Sequence, residues 1–294
     1  MSGTHPVTNL SIFIIARNEA DRIGRTIEAV RSLSDDIVVV DSGSTDGTKH
    51  VAETLGARVV HNDWPGYGPQ KRFAEDLCQH LWLLNLDADE VAPADLVEEI
   101  RTTLNAQTTG IDGFEIRIAE VFPGEGTPHP LAYALAPVRL YRKDRGRYVD
   151  SLVHDRVAFG EKAIFRRMKG VIHHFSVRSI GDQMAKLNDY TSQQARDLAV
   201  RGQHLPTWRL FVEFPASFFK AYVLRRHMVR GVYGFMTSMN YAFYRWLRVA
   251  KDVERRMQEK NTLQEKNKPQ EKNTPQEKSE LQDKTKQQKR VSDV

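Results

Sequence analysis

Three observations predict an α/β fold built on a doubly wound, mostly parallel sheet. The chain carries continuous apolar runs of strand length, first Leu10–Ala16 (LSIFIIA) and then Ile37–Val40. Unbroken apolarity marks strands covered on both faces. Each run leads into a stretch with helical character, the alternation that builds parallel sheets. The segments Arg17-Asn18-Glu19, Asp41-Ser42-Gly43-Ser44-Thr45-Asp46-Gly47 and Asp87-Ala88-Asp89-Glu90 fall where strands run out. That is the edge at which such sheets hold ligands.

The elements follow in order. After the first strand, Ile23, Ile27 and Val30 recur at helical spacing between Asp21 and Leu33. The second strand stops at Asp41, and its Gly-containing loop leads into a helix through about Leu55. Ala57–His61 is a short third strand, Gln70–His80 a helix, and Trp82–Leu86 the strand before the acidic pair. Asp95–Leu104 is a helix with Pro93 near its start. The pattern then changes. Phe114–Ile118 alternates, Val138–Tyr141 is a short strand, and Gly124, Gly126, Pro128 and Pro130 punctuate the stretch between. Residues 111–175 are predicted as a mixed-sheet region built on the first half. Gly181–Val200 returns to helix, with Met184, Leu187, Tyr190, Thr191 and Ala195 on one face.

Residues 206–250 are rich in aromatics and arginine, and Glu213, Pro215, Lys220 and Arg225-Arg226 interrupt every candidate span. Nothing approaches the roughly 20 apolar residues of a transmembrane helix. Amphipathic helices lying in a membrane interface, or a helical subdomain packed on the core, both suit this segment. From Gln258 a hexapeptide repeats (QEKNTL, QEKNKP, QEKNTP, QEKSEL, QDKTKQ), and Pro269 and Pro275 exclude a continuous helix. With almost no apolar side chains, this tail is expected to be disordered. The resulting division is 1–110, 111–205 as the second half of the same domain, 206–256, and the tail 257–294.

Charge is unevenly placed. Residues 1–195 carry 22 Lys+Arg against 27 Asp+Glu, residues 196–256 carry 12 against 4, and residues 257–294 carry 9 against 7. The basic block suits an anionic surface, and the acidic front argues against a nucleic-acid enzyme. Cys78 is the single cysteine, which excludes an intrachain disulfide and suits a reducing compartment. Met1–Asn9 has no basic segment followed by an apolar one, so no secretory signal is expected.

Asp87 and Asp89, at i and i+2 in a turn, can face one hard cation, Mg²⁺ or Mn²⁺, and leave positions for phosphate oxygens. The alternative is a polar turn with Asp89 capping a helix. Asp41 can accept hydrogen bonds from a uracil N–H or a ribose hydroxyl, or merely cap a turn. Ser42, Gly43 and Ser44 let the backbone come close, and Asn18 and Glu19 stand on the same sheet edge. Lys71 at a helix start meets a diphosphate or is a solvated cation. Together these residues point to a nucleotide diphosphate site.

The set IIARNEADRIGRTIEAV, IVVVDSGSTDGT, WPGYGPQKRFA and LNLDADE resembles inverting family 2 glycosyltransferases of GT-A fold. More closely, with DSLVHDRV, HHFSVRSIGDQMAKLNDYT and AYVLRRHMVRGVYGF, the chain resembles bacterial lipopolysaccharide inner-core enzymes that transfer glucose onto core heptose. The likeness runs from about Leu10 to Lys251. It implies that Asp41 contacts the nucleotide, Asp89 is the principal metal ligand, and Asp87 binds ribose or metal. It further implies that Asp155, preceded by His154, is the base, although the subgroup often has Glu at that position.

The resemblance implies UDP-glucose as donor, a divalent cation, a lipopolysaccharide-core acceptor, and a β-linked product formed by one inverting displacement. An anionic membrane surface is the expected partner, at the inner face of the cytoplasmic membrane. A polyprenyl-phosphate acceptor is a rival, as is a noncatalytic sugar-nucleotide or lipopolysaccharide-binding protein. A nucleotidyltransferase is disfavoured, because Ala16-Arg17-Asn18-Glu19-Ala20 lacks its glycine-rich loop. His173 and His174 either touch the metal or pyrophosphate or are structural. Arg139, Arg142 and Arg145 either pair with acceptor phosphates or are solvated. Oligomeric state is not encoded in any of these motifs.

Overall fold

Alternation along the first strand decides the layering. Leu10, Ile12 and Ile14 turn to one face and Phe13 to the other, and all are fully buried. A strand buried on both sides must be central. The computed structural model describes residues 9–106, 108–151 and 155–266.

The described strands are β1 (Leu10–Ala16), β2 (Asp36–Asp41), β3 (Arg58–His61), β4 (Trp82–Asp87), β5 (Glu90–Val91), β6 (Gly113–Glu120), β7 (Ala134–Leu135), β8 (Val138–Arg142), β9 (Gly146–Tyr148), β10 (Val157–Phe159) and β11 (Phe165–His174). The helices are α1 (Ile23–Val30), α2 (Thr48–Thr54), α3 (Tyr67–Leu77), α4 (Ala94–Asn105), α5 (Ile180–Val200), α6 (Arg209–Phe219) and α7 (Gly231–Lys266).

The main sheet runs β3-β2-β1-β4-β8-β6-β11-β5, with β7 paired to β6. β3, β2, β1 and β4 are parallel. β8 is antiparallel to both β4 and β6, β11 is parallel to β6, and β5 is antiparallel to β11. The expected parallel half and mixed-sheet second half are both present. β9 and β10 form a separate antiparallel pair.

Two apolar layers cover the sheet. Ile23, Ile27 and Val30 of α1 and Leu96, Val97 and Ile100 of α4 join Leu84, Leu86, Ile116, Leu140 and Ile172 on one face. On the other face Ala74 of α3 joins Phe13, Val38, Leu83, Tyr141 and Tyr148.

The chain divides into two compact units. The larger comprises residues up to Leu187 with Pro215–Phe243, and the smaller Asn188–Phe214 with the chain from Tyr244 onward. In the smaller unit the basic residues find internal partners. Asp252 is fully buried and accepts from the Leu205 amide at 3.0 Å and from Arg255 at 3.0 Å. Glu213 accepts from Arg209 at 2.8 Å and Arg245 at 2.9 Å. Pro215 is accommodated inside α6. The chain then passes through a π turn (Lys220–Leu224) and a 3-10 turn (His227–Arg230).

α7 continues to Lys266, through the first repeat and into the second. A helix therefore extends past the expected boundary at 257, because both prolines lie further on. Residues 267–294, expected to be disordered, lie outside the described residues.

Candidate active site

Every strand of the parallel half delivers a polar residue to one edge. Asn18 follows β1 in the left-handed region (φ 55°), a conformation Asn tolerates better than most residues. Its amide donates to Ser44 Oγ at 2.9 Å, and its side-chain oxygen accepts from the Thr45 amide at 2.9 Å. Asn18 thus ties the loop after β1 to the loop after β2. Ser42 accepts from Gln70 Nε2 at 2.9 Å.

Asp41, at the end of β2, is fully buried. Its Oδ1 accepts from the Gly43 and Ser44 amides at 3.0 and 2.9 Å, while its buried Oδ2 has no protein partner. A buried acceptor left without a donor costs free energy, and a nucleotide N–H or hydroxyl would satisfy it. Lys49 Nζ stands 3.5 Å from Oδ1.

β4 supplies the centre. Leu84 and Leu86 face the α1/α4 layer, so Asn85 and Asp87 face the α3 side. Lys71 of α3 is fully buried and reaches up to them. Its ammonium is 2.9 Å from Asp87 Oδ1, 3.1 Å from Asn85 Oδ1 and 2.6 Å from Asp155 Oδ2. From β8, Arg139 reaches Asp87 Oδ2 at 3.2 Å and Glu90 Oε1 at 2.8 Å, and it also bonds Asn85. Tyr148 donates to Asn85 Oδ1 at 2.7 Å.

Burial works against the Lys71 charge, yet Asp87 and the other nearby acids raise its pKa above the ordinary lysine value. Burial likewise opposes ionisation of Asp87, but Lys71 and Arg139 hold it well below the carboxylate range.

Asp89 stands apart from this cluster. Its Oδ2 meets Arg22 at 3.2 Å and its Oδ1 meets His174 Nε2 at 3.3 Å. Burial would raise the pKa of Asp89, and the bond and charge of His174 with Arg22 more than reverse that. Burial disfavours the imidazolium of His174, but Asp89 raises it to about 9. Arg22 also pairs with Glu19 and donates to the Phe175 carbonyl at 2.9 Å. Glu19 is held a second time by Arg178 at 2.8 Å, so it clamps the turn after β11 to the start of α1.

The site offers a cation two protein ligands. Cis ligands of an octahedral ion with bonds of about 2.1 Å stand about 3.0 Å apart, close to the 3.3 Å between Asp89 Oδ1 and His174 Nε2. The carboxylate oxygen is a suitable donor, and the imidazole becomes one on losing the proton that Asp89 holds on it. Among the described residues, no three His, Cys, Asp or Glu side chains form a complete cage. The fit is to an ion that takes further ligands from a diphosphate. Both oxygens of Asp87 are engaged by Lys71 and Arg139, and both of Asp89 by Arg22 and His174, so an ion at either carboxylate would replace a cationic partner.

The loop that carries Asp155 rests on α3. The Gly68 amide donates to the Ser151 carbonyl at 3.0 Å, and a Cβ at Gly68 would collide with the Val149 carbonyl oxygen. His154, expected to precede the base, lies outside the described residues.

The structure thus brings together Lys71, Asp87 and Asp155, and places Asp89 alongside His174. Asn18, Glu19 and Ser42 line the same edge but use their side chains within the protein. Asn85, Arg22 and Tyr148 were not singled out as site residues. Arg139, read as an acceptor-side or solvated cation, is instead buried against Asp87 and Glu90. Arg142 pairs with Asp144 at 2.8 Å and Arg145 lies 3.7 Å from Asp112. A polar Asn inside the apolar run Trp82–Asp87 was the available signal, since buried polar groups demand partners.

Residues 11–169 match the family described as Glycosyl transferase family 2. A glycosyltransferase of Rickettsia prowazekii is 36% identical over 86% of this chain and 90% of its own length. The lipopolysaccharide core biosynthesis glycosyltransferase LpsC of Rhizobium meliloti is 30% identical over 86% of this chain and 94% of its own. Among solved structures, glucosyl-3-phosphoglycerate synthase from Mycobacterium tuberculosis aligns with a TM-score of 0.40 and 20% identity, covering 66% of this chain and 80% of that one. The chain belongs to glycosyl transferase family 2 and is a transferase related to a lipopolysaccharide core biosynthesis enzyme.

Proposed function

We propose that the protein transfers a hexose, glucose from UDP-glucose, onto a heptose of the lipopolysaccharide core with inversion, forming a β-glycosidic bond. The observation that carries this reading is the Lys71 bridge, which sets one partly exposed carboxylate, Asp155, beside the donor-side acid Asp87. A single base suffices for one displacement, whereas inverting glycosidases need an acid and a base. The likeness to the lipopolysaccharide core biosynthesis enzyme of Rhizobium meliloti supports a core acceptor.

Asp155 takes the proton from the acceptor hydroxyl as that oxygen attacks the anomeric carbon opposite the diphosphate. Lys71 keeps the carboxylate in place, and Asp41 offers its free oxygen to the nucleotide. A divalent cation held by Asp89 and His174 would supply positive charge to the departing diphosphate. Arg22 orients Asp89 from behind.

The acceptor places the enzyme at a membrane, and we infer peripheral binding to the inner face of the cytoplasmic membrane. From Phe214 to Lys251 the sequence holds no carboxylate. Leu224, Met228 and Val232 are exposed there near Arg226. Among the described residues, no helix is long and apolar enough to cross a membrane. Exposed apolar side chains beside cations suit anionic headgroups.

A donor screen with truncated, heptose-terminated lipopolysaccharide and added Mg²⁺ or Mn²⁺ tests the reaction. UDP-glucose should support transfer, and Asp89→Ala should abolish it. Equal, slow turnover by wild type and Asp89→Ala would remove the catalytic reading. Sedimentation with anionic vesicles should weaken at high salt, and no binding at low salt would contradict the membrane reading.

A further inference from the structure

The sheet face that carries Asp87 continues past β8 over β6 and β11. Phe114, Ile116 and Ile118 of β6 and Met168 and Ile172 of β11 turn to the α1/α4 layer. Alternation therefore sends Arg117 and Ala119, and Val171 and His173, to the opposite face. That is the face shared by Asn85 and Asp87. A cavity of about 360 Å³ opens there beneath the segment 127–134.

Its charged and ring-bearing lining is Arg117, Lys169, His129, His173 and one carboxylate, Asp95. Where Arg139 and Arg178 close on carboxylates, Arg117 donates to a backbone carbonyl, that of Lys169, at 2.8 Å. This leaves its charge uncompensated by that contact. A guanidinium beside an ammonium suits a phosphate. Asp95 and the two imidazoles suit hydroxyl groups, and the volume exceeds what a bare ion needs.

Neighbouring strands stand about 4.8 Å apart. Arg117 on β6 is two strands from Asp87, or about 10 Å, and His173 on β11 is three strands away. That is the reach of a short oligosaccharide laid across the sheet.

We propose that this pocket binds a phosphate carried by a sugar of the acceptor, close to the sugar that is glycosylated. The proposal rests on the transferase reading above, and it names a feature of the acceptor that the reading leaves open. The other carrier of a phosphate, a polyprenyl chain, is an outcome of the test.

Isothermal titration calorimetry of the full chain with mannose 6-phosphate, mannose and inorganic phosphate measures the pocket directly. Mannose 6-phosphate should bind, mannose alone should not, and inorganic phosphate should bind more weakly than the sugar phosphate. The double variant Arg117→Ala/Lys169→Ala should lose about tenfold or more in affinity. Unchanged affinity in the double variant, or equal binding of inorganic phosphate, would overturn the pocket. Because these readouts need no turnover, they stand apart from any failure of the transferase assay. In transfer assays, enzymatically dephosphorylated core acceptor should raise KM about tenfold for wild type and leave kcat near its original value. An unchanged KM, or competition by polyprenyl phosphate but not by phosphorylated core, would overturn the core sugar as carrier.

Discussion

Lys71 Nζ lies 2.6 Å from Asp155 Oδ2 while the same ammonium holds Asp87 at 2.9 Å. One buried cation thus couples the proposed base to the proposed donor-side acid. Lys71→Met should lower kcat about 100- to 1,000-fold, within the range that general-base catalysis contributes. It should also destabilise the fold by about 2–3 kcal/mol. That is the low edge for breaking a buried pair, because both carboxylates keep some solvent access. Steady-state kinetics and urea unfolding check the two effects. Near wild-type turnover would mean that Asp155 does not depend on Lys71.

Gly68 is the contact through which α3 supports the loop leading to Asp155. Gly68→Ala forces that loop away from the helix. Transfer should fall at least about tenfold, as small misplacements of reacting groups do. Circular dichroism should report a folded chain, and full activity would show that the loop has another anchor.

Asp36 tests the pH dependence of stability. It accepts from Ser11 Oγ at 2.5 Å, the Gln79 amide at 2.9 Å and Arg58 at 3.0 Å. Burial would raise its pKa, but these bonds win and lower it. A lowered folded pKa means stability that is present above the unfolded carboxylate value of about 3.9 and lost as pH falls through the folded value. Asp36→Asn should therefore cost about 1–3 kcal/mol at pH 7. Urea melts near pH 3 should show a smaller difference, and a larger one there would contradict the assignment.

Cys78 is buried, and that burial pushes its thiol up to about 12. Since the thiolate is the reactive species, the native protein should resist thiol reagents at pH 8. The thiol should react fully in denaturant. Rapid native labelling, followed by absorbance, would show that the α3 layer opens readily.

The parallel half was legible because LSIFIIA and IVVV are continuous apolar runs that suit a doubly covered strand. β11 was not. Phe165, Arg166 and Arg167 at its start are exposed, and it pairs with β6 through an irregular register between Arg167 and Val171. No local period announces such a strand. Asp41, Asp87 and Asp89 stood out because they abruptly end apolar runs. Lys71 was placed on a helix, but its direction depends on how α3 packs beneath β4, a tertiary fact. Arg139 looked like any arginine on a short strand until β8 proved to lie directly against β4. Asp89, in the turn before β5, and His174, at the end of β11, are far apart in sequence and converge through the β11–β5 pairing.

The inverting, single-base reaction is tested most directly by determining the linkage formed from UDP-glucose and heptose-terminated lipopolysaccharide, by NMR, with wild type and Asp155→Asn side by side. The expected result is a β-linked glucosyl heptose from wild type and transfer reduced at least about 100-fold in Asp155→Asn. An α-linked product, or full transfer by Asp155→Asn, would contradict it.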